Sequence, residues 1–108
     1  MKLLFTLALI CASIFANTLE EIKHQGSVRI GVREGRPPLS ESVNGKFEGF
    51  EIELASAIAK DIFGENKGSV EFVAVTAGER IPFLQNNKVD IVIGTFMITP
   101  ERKKQVDF

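Results

Sequence analysis

The chain has 108 residues, room for one small domain, and its 44% hydrophobic and 25% charged composition is that of an ordinary globular protein, neither disordered nor fibrous. A formal charge of −1 at pH 7, from 13 basic and 14 acidic residues, leaves no electrostatic footprint for nucleic acid. One cysteine and one histidine exclude a disulfide framework and a metal site built on those residues.

Lys2 is followed by an apolar run from Leu3 to Phe15 that ends in small residues. That run is too short to span a bilayer comfortably and reads as a signal peptide over residues 1–16, with cleavage near Ala16 and a periplasmic destination. Cys11 is a poor lipoprotein attachment site, because Ile10 precedes it where a small residue is wanted, so no lipid anchor is expected there. Taking Lys2 from the 13 basic residues leaves 12 against 14 acidic ones, a charge of −2. No second apolar segment could hold the mature chain in a membrane.

Thr18-Leu19-Glu20-Glu21 matches a capping box, which starts a short helix that Gly26 stops; His24 falls in its last turn, where a cation suits the helix dipole. Val28 to Val32, apolar at every second position, is the first strand. Arg33 to Leu39 is a loop, since two prolines and a glycine exclude helix or central strand, and it carries Arg33 over the sheet edge with Arg36 further out and solvated. Asn44-Gly45 predicts a two-residue hairpin between Leu39–Val43 and Lys46–Glu48. From Gly49 a helix runs with Phe50, Leu54, Ile58 and Ile62 as its core-facing stripe, and with Glu51 and Glu53 as solvated partners of its dipole.

Gly64 to Gly68 is a polar turn and Val70 to Val75 a second strand. Thr76 and Glu79 resemble another capping box, but a helix begun at Thr76 would put Pro82 too deep, so the helix starts near Arg80 with Phe83 and Leu84 toward the core. The run Val89 to Ile93 reads as a strand covered on both faces, ended by Gly94 and Thr95. Thr99-Pro100 starts a helix with Arg102 in its first turn.

Strands alternating with helices through right-handed crossovers give an α/β protein with a mostly parallel sheet flanked by helices, and every βα loop on one edge. Arg33, Arg80 and Arg102 each follow a different strand and converge there. Three forked donors around a crevice suit a carboxylate or phosphate. Surface ion pairs with Glu34, Glu79 or Glu101 are the competing reading, and for each arginine both stand open. A G-x-S-x-G elbow, H-E-x-x-H, a P-loop and G-x-G-x-x-G are all missing from the sequence, so catalytic residues, cofactor and metal are each expected to be none, and binding fits better than turnover.

Gly49-Phe50-Glu51-Ile52-Glu53-Leu54-Ala55 with Ile58-Ala59, Arg80-Ile81-Pro82-Phe83-Leu84-Gln85, Val89-Asp90-Ile91-Val92, and Ile98-Thr99-Pro100-Glu101-Arg102-Lys103-Lys104 with Asp107-Phe108 resemble the polar amino-acid-binding proteins of bacterial ABC importers, solute-binding protein family 3. The likeness spans almost the whole mature chain and implies that a further strand begins at Val106–Phe108. It implies part of a lobe of a periplasmic-binding-protein-like bilobal fold over residues 17–108, an amino acid as ligand, a membrane permease as partner, and a monomer when full length. It also implies that Arg102 grips an α-carboxylate and that Thr95 contacts the ligand.

Arg33-Glu34 and Arg80-Ile81-Pro82 resemble the glutamate- and aspartate-binding members, which makes Arg33 and Arg80 the holders of a side-chain carboxylate. Glutamine is the next ligand in line. Met97 departs from the family, standing where Thr or Ser usually meets the ligand. With the second lobe not in this chain, desolvation around a ligand is reduced and weak binding is expected. The alternatives are a dehydratase or cell-wall lyase on the same fold, which would need a general acid or base outside this chain, or a truncated, non-functional product.

Overall fold

The computed structural model describes residues 18–65 and 67–108; the signal peptide over 1–16 and lipidation at Cys11 lie outside the described residues. Thr18 caps α1 (Leu19–Gln25), its hydroxyl accepting from the Glu21 N–H at 3.3 Å, and Gly26 ends the helix at φ 73°, a left-handed conformation that a residue without Cβ adopts freely. The chain enters β1 (Ser27–Val32) directly, and His24 lies in the last turn of α1 as predicted.

β1 is the centre of a three-stranded parallel sheet in the order β5-β1-β6. Its partners are β5 (Ser69–Ala74), paired from Ser27↔Ser69 to Val32↔Ala74, and β6 (Ile91–Val92), paired at Ile30↔Ile91 and Gly31↔Val92. Val28, Ile30 and Val32 are fully buried, so the strand with alternating apolar residues is the one most deeply enclosed. Each such side chain contributes about 1.5–3 kcal/mol by leaving water.

The unbroken apolar run that predicted a doubly covered strand is instead an edge: β6 is two residues long, and Ile91, Val92 and Ile93 are half-buried. Its register is fixed by Arg29 and Asp90. The Arg29 backbone N–H donates to Asp90 Oδ2 at 2.9 Å, Nη2 to Oδ1 at 3.1 Å and Nε to Oδ2 at 3.3 Å, while the Asp90 N–H donates to the Arg29 carbonyl at 2.8 Å.

A smaller antiparallel sheet of three strands forms from the stretch after β1. The predicted hairpin is β3 (Ser40–Val43) and β4 (Lys46–Glu48), with Asn44 and Gly45 at φ 53° and 79°. The predicted loop contains a two-residue edge strand, β2 (Gly35–Arg36), placed before Pro37 so that no proline interrupts the ladder. Gly49, at φ 129°, lets the chain pass hard against the Leu39 carbonyl, where any Cβ would collide. The Pro38 and Leu39 carbonyls then accept from the N–H groups of Phe50 and Glu51, capping α2 (Phe50–Phe63) without a side chain.

α2 is turned relative to the prediction. Its buried face is Ile52, Ala55, Ala59 and Phe63, with Glu51 also buried, whereas Phe50 and Leu54 are 63% and 41% exposed. Two alanines on the inner face let the helix lie close to the sheet, an approach that a Phe50–Leu54–Ile58 face would prevent. α3 (Arg80–Gln85) starts where expected, after a turn in which the Thr76 N–H donates to the Glu79 carboxylate at 2.9 Å. α4 (Pro100–Lys103) is a single turn capped by the Thr99 hydroxyl. No strand forms at Val106–Phe108; Val106 instead donates to the Arg102 carbonyl, and Phe108 packs on Phe96.

Candidate functional site

The parallel register puts the segments after β1, β5 and β6 on one edge of the sheet, and the arginines gather there. Arg80 opens α3 and is 6% exposed. Its Nε donates to the Ala77 carbonyl at 3.3 Å and its Nη1 to the Thr95 carbonyl at 2.8 Å. Arg102 is placed by the Thr99 cap, whose hydroxyl accepts from the Arg102 N–H at 3.2 Å, and its guanidinium donates to the Met97 carbonyl at 2.7 Å. The helix end itself contributes little, because α4 has four residues and no appreciable macrodipole. The positive charge at this edge is carried by side chains.

Arg80, Thr95, Met97 and Arg102 line one open depression of about 530 Å³, together with Ile81, Thr99, Glu101 and Gln105. Arg33 is not in it. It borders a smaller hollow of about 210 Å³ with Glu34, Thr76 and Glu79, and its Cγ lies 3.6 Å from where a Cβ on Gly94 would stand, so its stem runs past the turn after β6. Arg33 still acts on Arg80 through its charge. Burial first, then the fields of Arg102, Arg33 and Arg36, push the Arg80 pKa below its ordinary value. Arg36, expected to be merely solvated, thus adds to the positive field from an exposed position.

The competing reading of these arginines as surface ion pairs is not what the geometry gives. Among the described residues none of Arg33, Arg80 and Arg102 has a carboxylate oxygen within 4.0 Å; the ion pair that forms is Arg29 with Asp90, on β1 and just before β6. Arg80 and Arg102 are held by carbonyls, which orient a guanidinium without cancelling its charge. A pocket with such cations attracts an anion.

The Met97 side chain is 73% exposed, and the contact this residue supplies is its backbone carbonyl to Arg102. Sequence reasoning missed Phe96, whose ring lies under the guanidiniums of both Arg80 and Arg102, with Cζ atoms 4.1 and 4.7 Å from its centroid. A lone phenylalanine in a loop has no periodicity to mark it. Among the described residues no group of three or more His, Cys, Asp or Glu could hold a metal ion, and no helix is long and apolar enough to cross a membrane.

Residues 28–108 match the bacterial extracellular solute-binding proteins, family 3. Over 85% of its length the chain is 47% identical to the glutamine-binding protein of Geobacillus stearothermophilus, of which it covers 36%. The fold is similar to that of an ancestral amino-acid-binding protein, AncCDT-1, described as a precursor of cyclohexadienyl dehydratase: TM-score 0.76 and 46% identity over 86% of this chain and 40% of that one. It is also similar to the arginine-bound form of domain 1 from TmArgBP, with TM-score 0.67 and 34% identity over 78% of this chain and 64% of that one. The chain thus spans little more than a third of the curated relative it matches.

Proposed function

The chain belongs to the bacterial extracellular solute-binding proteins, family 3, and from that premise we propose that it binds an amino acid outside the cytoplasm for delivery to the membrane permease of an ABC importer. In this reading residues 17–108 form part of the first lobe, residues 1–16 direct export to the periplasm, and the full-length protein works as a monomer. Arg102 and Arg80 grip ligand carboxylates with Thr95 and Met97 beside them, and Arg33 extends the field toward a side-chain carboxylate. Glutamate or aspartate is the ligand this arrangement suits best.

The observation that carries the reading is Arg80: a guanidinium 6% exposed, beside Arg102, with no carboxylate oxygen of the described residues within 4.0 Å of it. Folding concentrates like charge there at a cost, which a bound anion would relieve. Glutamine is the second reading, favoured by the 47% identity to a glutamine-binding protein. A dehydratase, favoured by likeness to an ancestral cyclohexadienyl dehydratase, would turn over a cyclohexadienyl substrate rather than hold an amino acid. An isolated domain 1 seen with arginine makes it reasonable to test this chain by itself.

The test is calorimetric titration of the 108-residue chain with L-glutamate, L-aspartate and L-glutamine. The acidic ligands should bind roughly ten- to a hundredfold more tightly than glutamine, the increment expected for a charge-assisted contact over a neutral one. Preference for glutamine would move the reading to the second ligand, and no heat from any of the three, in this chain and in a version carrying the second lobe, would overturn both.

A further inference from the structure

Phe96 stands where two cations meet. The Arg80 and Arg102 guanidinium carbons lie 4.1 and 4.7 Å from its ring centroid, and Phe108 meets the ring at 64° with centroids 5.4 Å apart. Two arginines gathered around one ring repel each other, and one of them is buried. A carboxylate between them would relieve the repulsion, but it would occupy the in-plane N–H groups that recognise a ligand. An aromatic face attracts a guanidinium through the ring quadrupole and, unlike a carboxylate, need not take up its N–H donors in strong hydrogen bonds. The hydrogen bonds agree with this. Arg80 uses two of the five N–H donors of a guanidinium and Arg102 one, all on backbone carbonyls.

We propose that Phe96 is the positioning residue of this site, holding Arg80 and Arg102 together over its ring so that their remaining N–H groups form one carboxylate receptor. The inference rests on reading the depression as a carboxylate site, and it adds a residue that touches no ligand but sets the geometry of the two that do. It also accounts for how the site assembles without neutralising acids: the ring supplies attraction, the carbonyls of Ala77, Thr95 and Met97 supply direction, and the net charge stays positive.

Replacement of Phe96 by pentafluorophenylalanine keeps the shape and reverses the charge of the ring face, and Phe96→Leu removes the ring. Affinity for L-glutamate should fall roughly tenfold in both, with Phe96→Tyr weakened less than either and all three still folded by circular dichroism. A pentafluoro variant that binds as the parent does would overturn the proposal, since packing alone would then explain the residue. A second readout needs no ligand. In NMR spectra of the unliganded chain, side-chain resonances of Arg80 and Arg102 should be displaced by the ring current and return toward ordinary positions in Phe96→Leu. Undisplaced resonances for either arginine would contradict the arrangement even if the chain bound no amino acid, which separates failure of this inference from failure of the functional reading.

Discussion

Arg80 donates from its guanidinium to the Thr95 carbonyl across 2.8 Å, tying the connection after β5 to the connection after β6 with no carboxylate between them. The contact fixes where the positive charge sits and leaves it unneutralised. Two opposing contributions meet at Arg80: the hydrogen bonds to Ala77 and Thr95 stabilise the fold by about 1 kcal/mol each, and burial beside other cations disfavours it.

Arg80→Met should therefore separate stability from binding. With the hydrogen bonds lost and the repulsion released together, Tm should move by less than about 5 °C, whereas affinity for L-glutamate should drop at least roughly tenfold. Calorimetry and thermal unfolding on the same variant check both, and an unchanged affinity would remove Arg80 from the site.

The Arg29–Asp90 pair contributes to the fold rather than to the site, since it sets the register of β6 against β1. The Asp90 side chain is 1% exposed and Arg29 31% exposed, so removing the guanidinium leaves a buried carboxylate without it. Arg29→Ala should cost about 3 kcal/mol, the low end for breaking a buried pair, read as a lower urea midpoint at unchanged m. A loss below about 1 kcal/mol would make it an ordinary surface pair.

The orientation of α2 gives a direct contrast. Ile52→Ala, on the face against the sheet, should destabilise by about 2–4 kcal/mol, while Leu54→Ala, on the 41% exposed face, should cost under about 1 kcal/mol. Equal effects in denaturant titrations would restore the stripe of Phe50, Leu54, Ile58 and Ile62.

What the sequence disclosed, and what it hid, follows from how local each signal is. Thr18 and Gly26 around α1, Asn44-Gly45 in the hairpin and Thr99-Pro100 at α4 act through their own backbone, and each is where the pattern puts it. The face of α2 was not legible, because Phe50/Leu54/Ile58/Ile62 and Ile52/Ala55/Ala59/Phe63 both have helical spacing; only the close fit to the sheet chooses between them. For the same reason the strand order was hidden. The more continuous apolar run forms an edge, since pairing, and not hydrophobicity, puts β1 in the middle. At the site, the meeting of Arg80, Thr95, Met97 and Arg102 follows the strand order, while Arg33 stands one hollow away and Phe96 left no mark in the pattern.

Glu79 makes stability depend on pH in a defined direction. Its backbone hydrogen bond with Thr76 leads in holding its carboxyl below the ordinary value of 4.5, with help from Lys88. A depressed folded pKa stabilises above the unfolded value, and the gain is lost as pH falls through the folded one. Thermal unfolding from pH 6 to pH 3 should show Tm falling less steeply below about 4.5 in Glu79→Gln than in the parent; parallel curves would mean that the turn contact contributes nothing.

The central claim is that uncompensated arginines at one sheet edge receive an amino-acid carboxylate. It is tested most directly by following the Nε–Hε resonances of Arg33, Arg80 and Arg102 during titration of the 108-residue chain with L-glutamate. The account predicts saturable shifts at all three, largest at Arg80 and Arg102, with the Arg29 resonance unmoved as an internal control. Shifts confined to other residues, or none at saturating ligand, would contradict it.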